Sequence, residues 1–180
     1  NAIKGLFFFI KTFYSPVKDS TGKKIKDVYF VPGNHDKVRS KSNELYGKYI
    51  QYERYEMTEE VWNLQSKNYT DYLNMVNVVK KIFNSKSRNT TCTFGVEYCE
   101  TNGGIICIVK IDTSWATYGG KEESGKLIIG KYQFDKLRAQ YSEIKDKLEE
   151  KGKELTITIG IGHHPVNWLQ SSEEKKLKSI

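Results

Sequence analysis

Hydrophobic positions in the first thirty residues predict a helix followed by a strand. Five large apolar side chains recur about every 3.6 residues in the segment 2–14, which is typical of a helix with one buried face; they are Ile3, Leu6, Phe7, Ile10 and Phe13. A polar turn follows, and the apolar segment 27–31 then predicts a short buried strand that ends at Pro32-Gly33.

The middle of the chain predicts a helical insert at about 41–90. Residues 46–83 are polar and aromatic with helical spacing, and six apolar side chains are expected to line one face: Val61, Leu64, Tyr72, Val76, Val79 and Phe83. The insert is also rich in tyrosine. These aromatic side chains either form a surface for a partner or pack the insert onto the domain, and packing is the interpretation we favour.

The second half predicts a β-hairpin, a helix and a final strand. Segments 93–98 and 105–111 flank Asn102-Gly103-Gly104, a good hairpin turn. An amphipathic helix then ends near Gly152, and the β-branched segment 155–161 leads into Gly162-His163. The apolar face of that helix consists of Phe134, Leu137, Tyr141, Ile144 and Leu148. This order of elements indicates an α/β or α+β layered domain with helices packed on sheets.

Composition narrows the class of protein. The 180 residues are 38% hydrophobic and carry a net charge of +7, enough for one domain with a core. Because the basic residues are scattered among acidic ones, a mixed surface is favoured over a nucleic-acid groove. The apolar run 6–10 is far shorter than the roughly 20 residues that span a bilayer, so no membrane span is expected. Three cysteines without ligand or disulfide spacing favour a reducing, cytoplasmic location.

The candidate metal-binding and catalytic side chains lie in two segments. In 31–36 a predicted strand ends at a glycine, and Asn34, His35 and Asp36 then follow in succession. The carboxyl ends of strands are where open α/β sheets place their ligands. An asparagine oxygen can bind a divalent metal, and a carboxylate next to a histidine can orient its ring. The structural alternative is a loop in which Asn34 and Asp36 cap turns.

The second segment is Gly162-His163-His164-Pro165, again at the end of a predicted strand. Adjacent residues on an extended chain point to opposite sides, so one of the two histidines is expected to face a given site. Alone, this triplet fits surface imidazoles better than a metal site. All three histidines of the chain, however, fall in these two segments.

The two segments together resemble the calcineurin-like metallophosphoesterases. Residues 31–36 are similar to the Gly-Asn-His-Asp/Glu block of that superfamily, and His163-His164-Pro165 is similar to its later His-x-Pro block. The resemblance implies a layered β-sandwich flanked by helices. The Asp-x-His, Gly-Asp and Gly-His-x-His blocks of the family do not occur, so the chain is expected to be an internal piece, truncated at both ends, with no more than trace activity alone.

The resemblance also implies a role for each matching residue. Asn34 and His163 would bind metal, within a centre of two divalent ions (Mn, Fe, Zn or Mg). His35 would contact the scissile phosphate, with Asp36 holding its ring. His164 would either reach the substrate or face away from the site. Asp112, at the end of the segment 105–111, is expected to be structural because the family places no ligand there.

The implied function is metal-dependent hydrolysis of phosphate mono- or diesters. The expected substrate is a phosphate-ester small molecule or a nucleotide, and the Asp and His-His-Pro forms resemble the cyclic-nucleotide phosphodiesterase branch. A nuclease of the same superfamily is the enzymatic alternative, with nucleic acid the less favoured partner. A degenerate, non-catalytic phosphoesterase that acts as a binding module is the other alternative.

Overall fold

The computed structural model describes residues 28–37, 58–83, 92–118 and 123–177. The predicted helix at 2–14 and the outer parts of the insert lie outside these ranges. In the described part of the chain the elements form one mixed α and β arrangement, in which helices flank a three-stranded sheet. No helix in these ranges has the length and apolar content needed to cross a bilayer.

The described part of the insert is helical, as predicted. Helix α1 covers Glu59–Ser66, a 3₁₀ turn covers Lys67–Tyr69, and helix α2 covers Thr70–Phe83. Thr58 begins α1, because its hydroxyl accepts a hydrogen bond from the Val61 amide at 3.3 Å. The buried side chains are Val61, Trp62, Gln65, Tyr69, Tyr72, Val76, Val79 and Lys80.

The prediction that Leu64 lies on the apolar face of the insert is wrong. Leu64 is 56% exposed, whereas Val61 and Trp62 are buried. Within α1 the buried residues are Val61, Trp62 and Gln65, which span about 100° of the helix circumference, and Leu64 lies outside that arc.

The sheet contains the predicted hairpin and the predicted final strand. Strand β1 is Gly95–Thr101, β2 is Gly104–Ile111 and β3 is Leu155–Gly162, in the order β1-β2-β3. Strands β1 and β2 pair antiparallel, and β2 and β3 pair parallel. The hairpin turn uses Gly104 at a φ of +129°, and an alanine Cβ there would overlap the Thr156 side chain.

Helix α3, Lys131–Glu149, connects the parallel strands. It ends in a Schellman arrangement in which the Lys153 amide donates to the Leu148 carbonyl and the Gly152 amide to the Glu149 carbonyl, both at 2.9 Å. Gly152 has a φ of +64°, which confirms the predicted stop. A 3₁₀ turn at Val166–Trp168 and helix α4, Ser171–Leu177, follow β3.

The core lies against one face of the sheet. Cys107, Val109 and Ile111 of β2 pack there with residues of α1, α3 and the loops; the other buried members include Val61, Trp62, Phe94, Trp115, Leu127, Ile129, Phe134, Leu137 and Leu169. A smaller cluster of Tyr69, Tyr72 and Val76 packs with Phe30. The predicted strand 27–31 is not formed over its described residues 28–31, which belong to no strand. This segment leads instead into a loop held by side-chain hydrogen bonds.

Candidate functional site

The candidate site lies at the edge of the sheet where β2 and β3 end. The two strands run parallel, and Ile111, the last residue of β2, is paired with Gly162, the last residue of β3. Asp112–Ser114 and His163–His164 therefore leave the sheet at the same edge. This is the edge at which parallel strands present ligand-binding side chains.

The loop 32–37 forms a closed turn beside this edge. The Gly33 amide donates to the Asp36 carboxylate at 2.7 Å, and the Asp36 amide donates to the Gly33 carbonyl at 3.0 Å. Asn34 is half-buried, whereas His35 and Asp36 are exposed. The carboxylate of Asp36 therefore closes the turn, as in the capping alternative, and the turn presents His35 to solvent.

The loop touches His163 directly. A Cβ placed on Gly33 would lie 3.0 Å from both Cε1 and Nδ1 of His163 and 3.3 Å from Nε2. Gly33 does not have a left-handed φ. Glycine allows this close approach, because a side chain here would compete with the imidazole for the same space. The structure thus brings the residue before Asn34 against His163, although 130 positions separate the two in the chain.

His164 makes a different set of contacts. Its amide donates to the Thr113 hydroxyl at 3.1 Å, its Nδ1 lies 2.9 Å from the same hydroxyl, and its ring stacks on Trp168 with centroids 5.4 Å apart. Burial, reinforced by the neighbouring His163, lowers the pKa of His164 to about 4. The two imidazoles also contact each other edge to face, with ring centroids 4.6 Å apart. The prediction that they point to opposite sides is therefore wrong, because residues 163 and 164 lie in a bend after β3 and not on an extended strand.

His164 also lines a cavity of about 230 Å³. The cavity lies against Val109 and Ile111 of β2 and against Thr158, Gly160 and Gly162 of β3. Val166, Leu169 and Leu177 also line it. The predicted substrate contact of His164 remains a prediction. The structure shows the ring held by Thr113 and Trp168.

Asp112 is fully buried and accepts hydrogen bonds on both carboxylate oxygens. Thr93 donates to Oδ2 at 2.6 Å, while the Ser114 amide and the Tyr69 hydroxyl donate to Oδ1 at 2.9 Å and 3.4 Å. Burial raises the pKa of Asp112 to about 6, and the hydrogen bonds and the charge of Lys37 oppose that rise. These contacts fit the expected structural role, because they fix the segment that follows β2.

Two supporting residues were missed by sequence reasoning. Gln133, fully buried on α3, accepts from the Asp112 amide at 2.8 Å and donates to the Asp112 carbonyl at 3.1 Å. Lys37, 7% exposed, donates to the carbonyls of Ser114 and Trp115. A polar residue four positions before Leu137 on the apolar face of a helix is a detectable signal for Gln133. Nothing local in the sequence marks Lys37.

The donors brought together fit a divalent metal only in part. Asn34 offers an amide oxygen and His163 an imidazole nitrogen, both suitable ligands, and they lie on segments in contact. Within the described ranges, no three His, Cys, Asp or Glu side chains cluster closely enough to hold an ion. Asn34 and His163 would thus be two of the ligands of a centre.

Comparison with known proteins adds no relative: no family model, no curated protein and no solved structure matches this chain. The candidate site therefore depends on the resemblance of its two sequence segments and on the geometry that brings them together.

Proposed function

We propose that this chain contributes to a dinuclear metal centre that hydrolyses phosphate mono- or diesters. Asn34 and His163 would be metal ligands, and His35 would contact the scissile phosphate. The layered β-sandwich of the metallophosphoesterases and a cytoplasmic location, which the three free cysteines favour, belong to the same proposal.

One observation carries this proposal: the contact between Gly33 and His163 at the edge where β2 and β3 end. The two segments that resemble metallophosphoesterase blocks are remote in sequence, and no local folding rule would bring them together. Surface imidazoles and turn-capping residues would not need this juxtaposition. A shared site gives a reason for it.

The exposed residues of the loop are suited to phosphate chemistry. Two divalent ions, when bound, would supply a hydroxide nucleophile and neutralise charge on the phosphate. His35 lies at the tip of the closed turn, exposed to solvent. An imidazole in that place can donate a proton to the leaving oxygen or stabilise its charge. Asp36 holds the turn through Gly33 and so holds the backbone that presents His35.

The test is hydrolysis by the natural polypeptide that carries this chain. With Mn²⁺ present, it should hydrolyse bis(p-nitrophenyl) phosphate or p-nitrophenyl phosphate, and EDTA should abolish the activity. His35→Asn should lower kcat by about 10²- to 10⁴-fold, as loss of a general acid does, without changing metal content. Asn34→Ala and His163→Ala should lower metal content measured by elemental analysis.

A matched control is Asn63→Ala, because Asn63 is an exposed asparagine on α1. It should change neither metal content nor rate. Hydrolysis that is insensitive to His35→Asn, or metal content that is insensitive to both ligand substitutions, would refute the proposal. Cleavage of DNA but neither ester would assign the alternative nuclease activity, and metal binding without hydrolysis would assign the non-catalytic one.

A further inference from the structure

The loop 32–37 is hydrogen-bonded at both of its ends to the segment that follows β2. At one end, the ammonium of Lys37 donates to the Ser114 carbonyl at 3.1 Å and to the Trp115 carbonyl at 3.0 Å. At the other end, the Ser114 hydroxyl donates to the Pro32 carbonyl at 3.0 Å. Lys37 is 7% exposed and Ser114 is fully buried. The exposed tip of the loop, which carries Asn34 and His35, lies between these two attachments.

The partner segment is itself rigidly placed. It follows β2 directly, and the amide and carbonyl of Asp112 are both held by the Gln133 side chain. Strand β3, which leads into His163, is paired with β2 up to Ile111 and Gly162. The positions of the Ser114 and Trp115 carbonyls are therefore fixed relative to His163. The Lys37 ammonium, which binds both carbonyls, is fixed relative to His163 as well.

A buried lysine is costly unless its ammonium is hydrogen-bonded, so the Lys37 contacts are specific rather than incidental. Lys37 binds residues 77 and 78 positions away in the chain, and Ser114 binds a residue 82 positions away. Over the described residues 28–37 the chain forms no strand, so no sheet pairing joins the loop to this segment. The side-chain hydrogen bonds of Lys37 and Ser114 therefore help to locate the loop.

We propose that Lys37 and Ser114 are positioning residues that set the placement of Asn34 and His35 relative to His163. Neither side chain touches metal or substrate in the proposed mechanism. The catalytic consequence rests on the proposed function, because only a site that uses both segments needs their spacing. The geometric consequence, the contact between Gly33 and His163, can be measured without any activity.

The experiment uses Lys37→Met and Ser114→Ala, with Lys110→Met as the matched control. Lys110 is another buried lysine, and its ammonium pairs with Glu97 of β1 at 2.5 Å. The chain has three histidines, so its imidazole Hε1 region holds three NMR signals that His→Gln variants assign. The readout is the nuclear Overhauser effect between His163 Hε1 and Gly33 Hα, together with kcat of the natural polypeptide.

We expect the Overhauser effect in the parent and in Lys110→Met, and its loss or strong weakening in Lys37→Met. Ser114→Ala removes one hydrogen bond and should weaken it less. In an active enzyme, kcat should fall about 10- to 100-fold in Lys37→Met with a smaller change in KM, since misplacement of about 1 Å can cost that much. Because Ser114→Ala deletes a single oxygen, it keeps the test decisive if Lys37→Met fails to fold.

The outcomes separate this proposal from the proposed function. An undiminished Overhauser effect in the folded variants would overturn the positioning roles, even if the parent is a phosphoesterase. If the effect is lost in Lys37→Met but the parent shows no hydrolysis, the positioning roles would be supported and the proposed function would not. An effect lost equally in Lys110→Met would show general loosening of the fold, and would also overturn the proposal.

Discussion

Replacing Gly33 with alanine should impair metal binding while leaving the fold nearly as stable as before. The added Cβ would lie 3.0 Å from two atoms of the His163 ring, whereas ordinary contacts are 3.4–4 Å. The ring must therefore retreat by about 0.4 to 1 Å. Metal-to-histidine bonds of about 2.0–2.1 Å tolerate only about 0.2 Å of error, so the displacement is at least twice that tolerance.

The cost to the fold should be small for two reasons. His163 is exposed, and its imidazole is the far end of a side chain that can turn away without moving the core. Gly33 has no left-handed φ, so an alanine is not strained there and restricts the unfolded chain, which contributes about 0.4–1 kcal/mol in its favour. We expect the free energy of unfolding to change by no more than about 1 kcal/mol.

The assay is calorimetric titration of the natural polypeptide with Mn²⁺, paired with urea denaturation. We expect Gly33→Ala to weaken binding at least tenfold, about 1.4 kcal/mol. The control is Gly103→Ala in the exposed hairpin turn, where the new Cβ would meet only Thr101 Oγ1 at 3.8 Å. Unchanged affinity in a stable Gly33→Ala protein would refute the reasoning. A loss of more than about 3 kcal/mol of stability would also refute it, because the ring would then be unable to move aside.

Three further predictions concern the residues around the loop. Gln133→Leu should lower the free energy of unfolding in urea by about 2–4 kcal/mol, because the buried amide and carbonyl of Asp112 lose their partner; a change below about 0.5 kcal/mol would contradict this. Burial raises the pKa of Asp112 to about 6, so the folded protein keeps a proton that the unfolded chain has lost, and stability should fall by about 3 kcal/mol as the pH rises from about 4 through 6. Asp112→Asn should abolish this fall in stability with pH, measured by urea denaturation. If the pH dependence is unaltered in the variant, Asp112 is not its cause. The His164 ring should titrate by NMR near pH 4, because it is half-buried and lies beside His163; a midpoint above 6 would contradict its described surroundings.

Local signals in the sequence predicted the hairpin, helix α3 and strand β3, but not the absence of a strand at 28–31. The turn Asn102-Gly103-Gly104 requires a residue that accepts a positive φ, and Gly104 supplies it at the start of β2. Gly152 ends α3 in the same way. These features depend on a few neighbouring residues, so the sequence specifies them directly.

Features that depend on distant partners could not be predicted. The side of α1 that is buried depends on what it packs against, and Leu64 lies outside the buried arc of Val61, Trp62 and Gln65. Lys37 would pass for an ordinary surface lysine, yet its ammonium is buried against carbonyls more than 70 positions away. The pairing of Gly33 with His163 could be anticipated only because two separate segments resemble one family of enzymes.

The most direct test of the account is the position of bound metal. A crystal structure of the natural polypeptide with Mn²⁺, analysed by anomalous scattering, should place ions roughly 4 Å apart, as two-metal hydrolases do, with the Asn34 side-chain oxygen on one and a His163 ring nitrogen on the same or the other. Bound ions that touch neither residue, or Asn34 and His163 separated by more than about 10 Å, beyond the reach of such a pair, would contradict it.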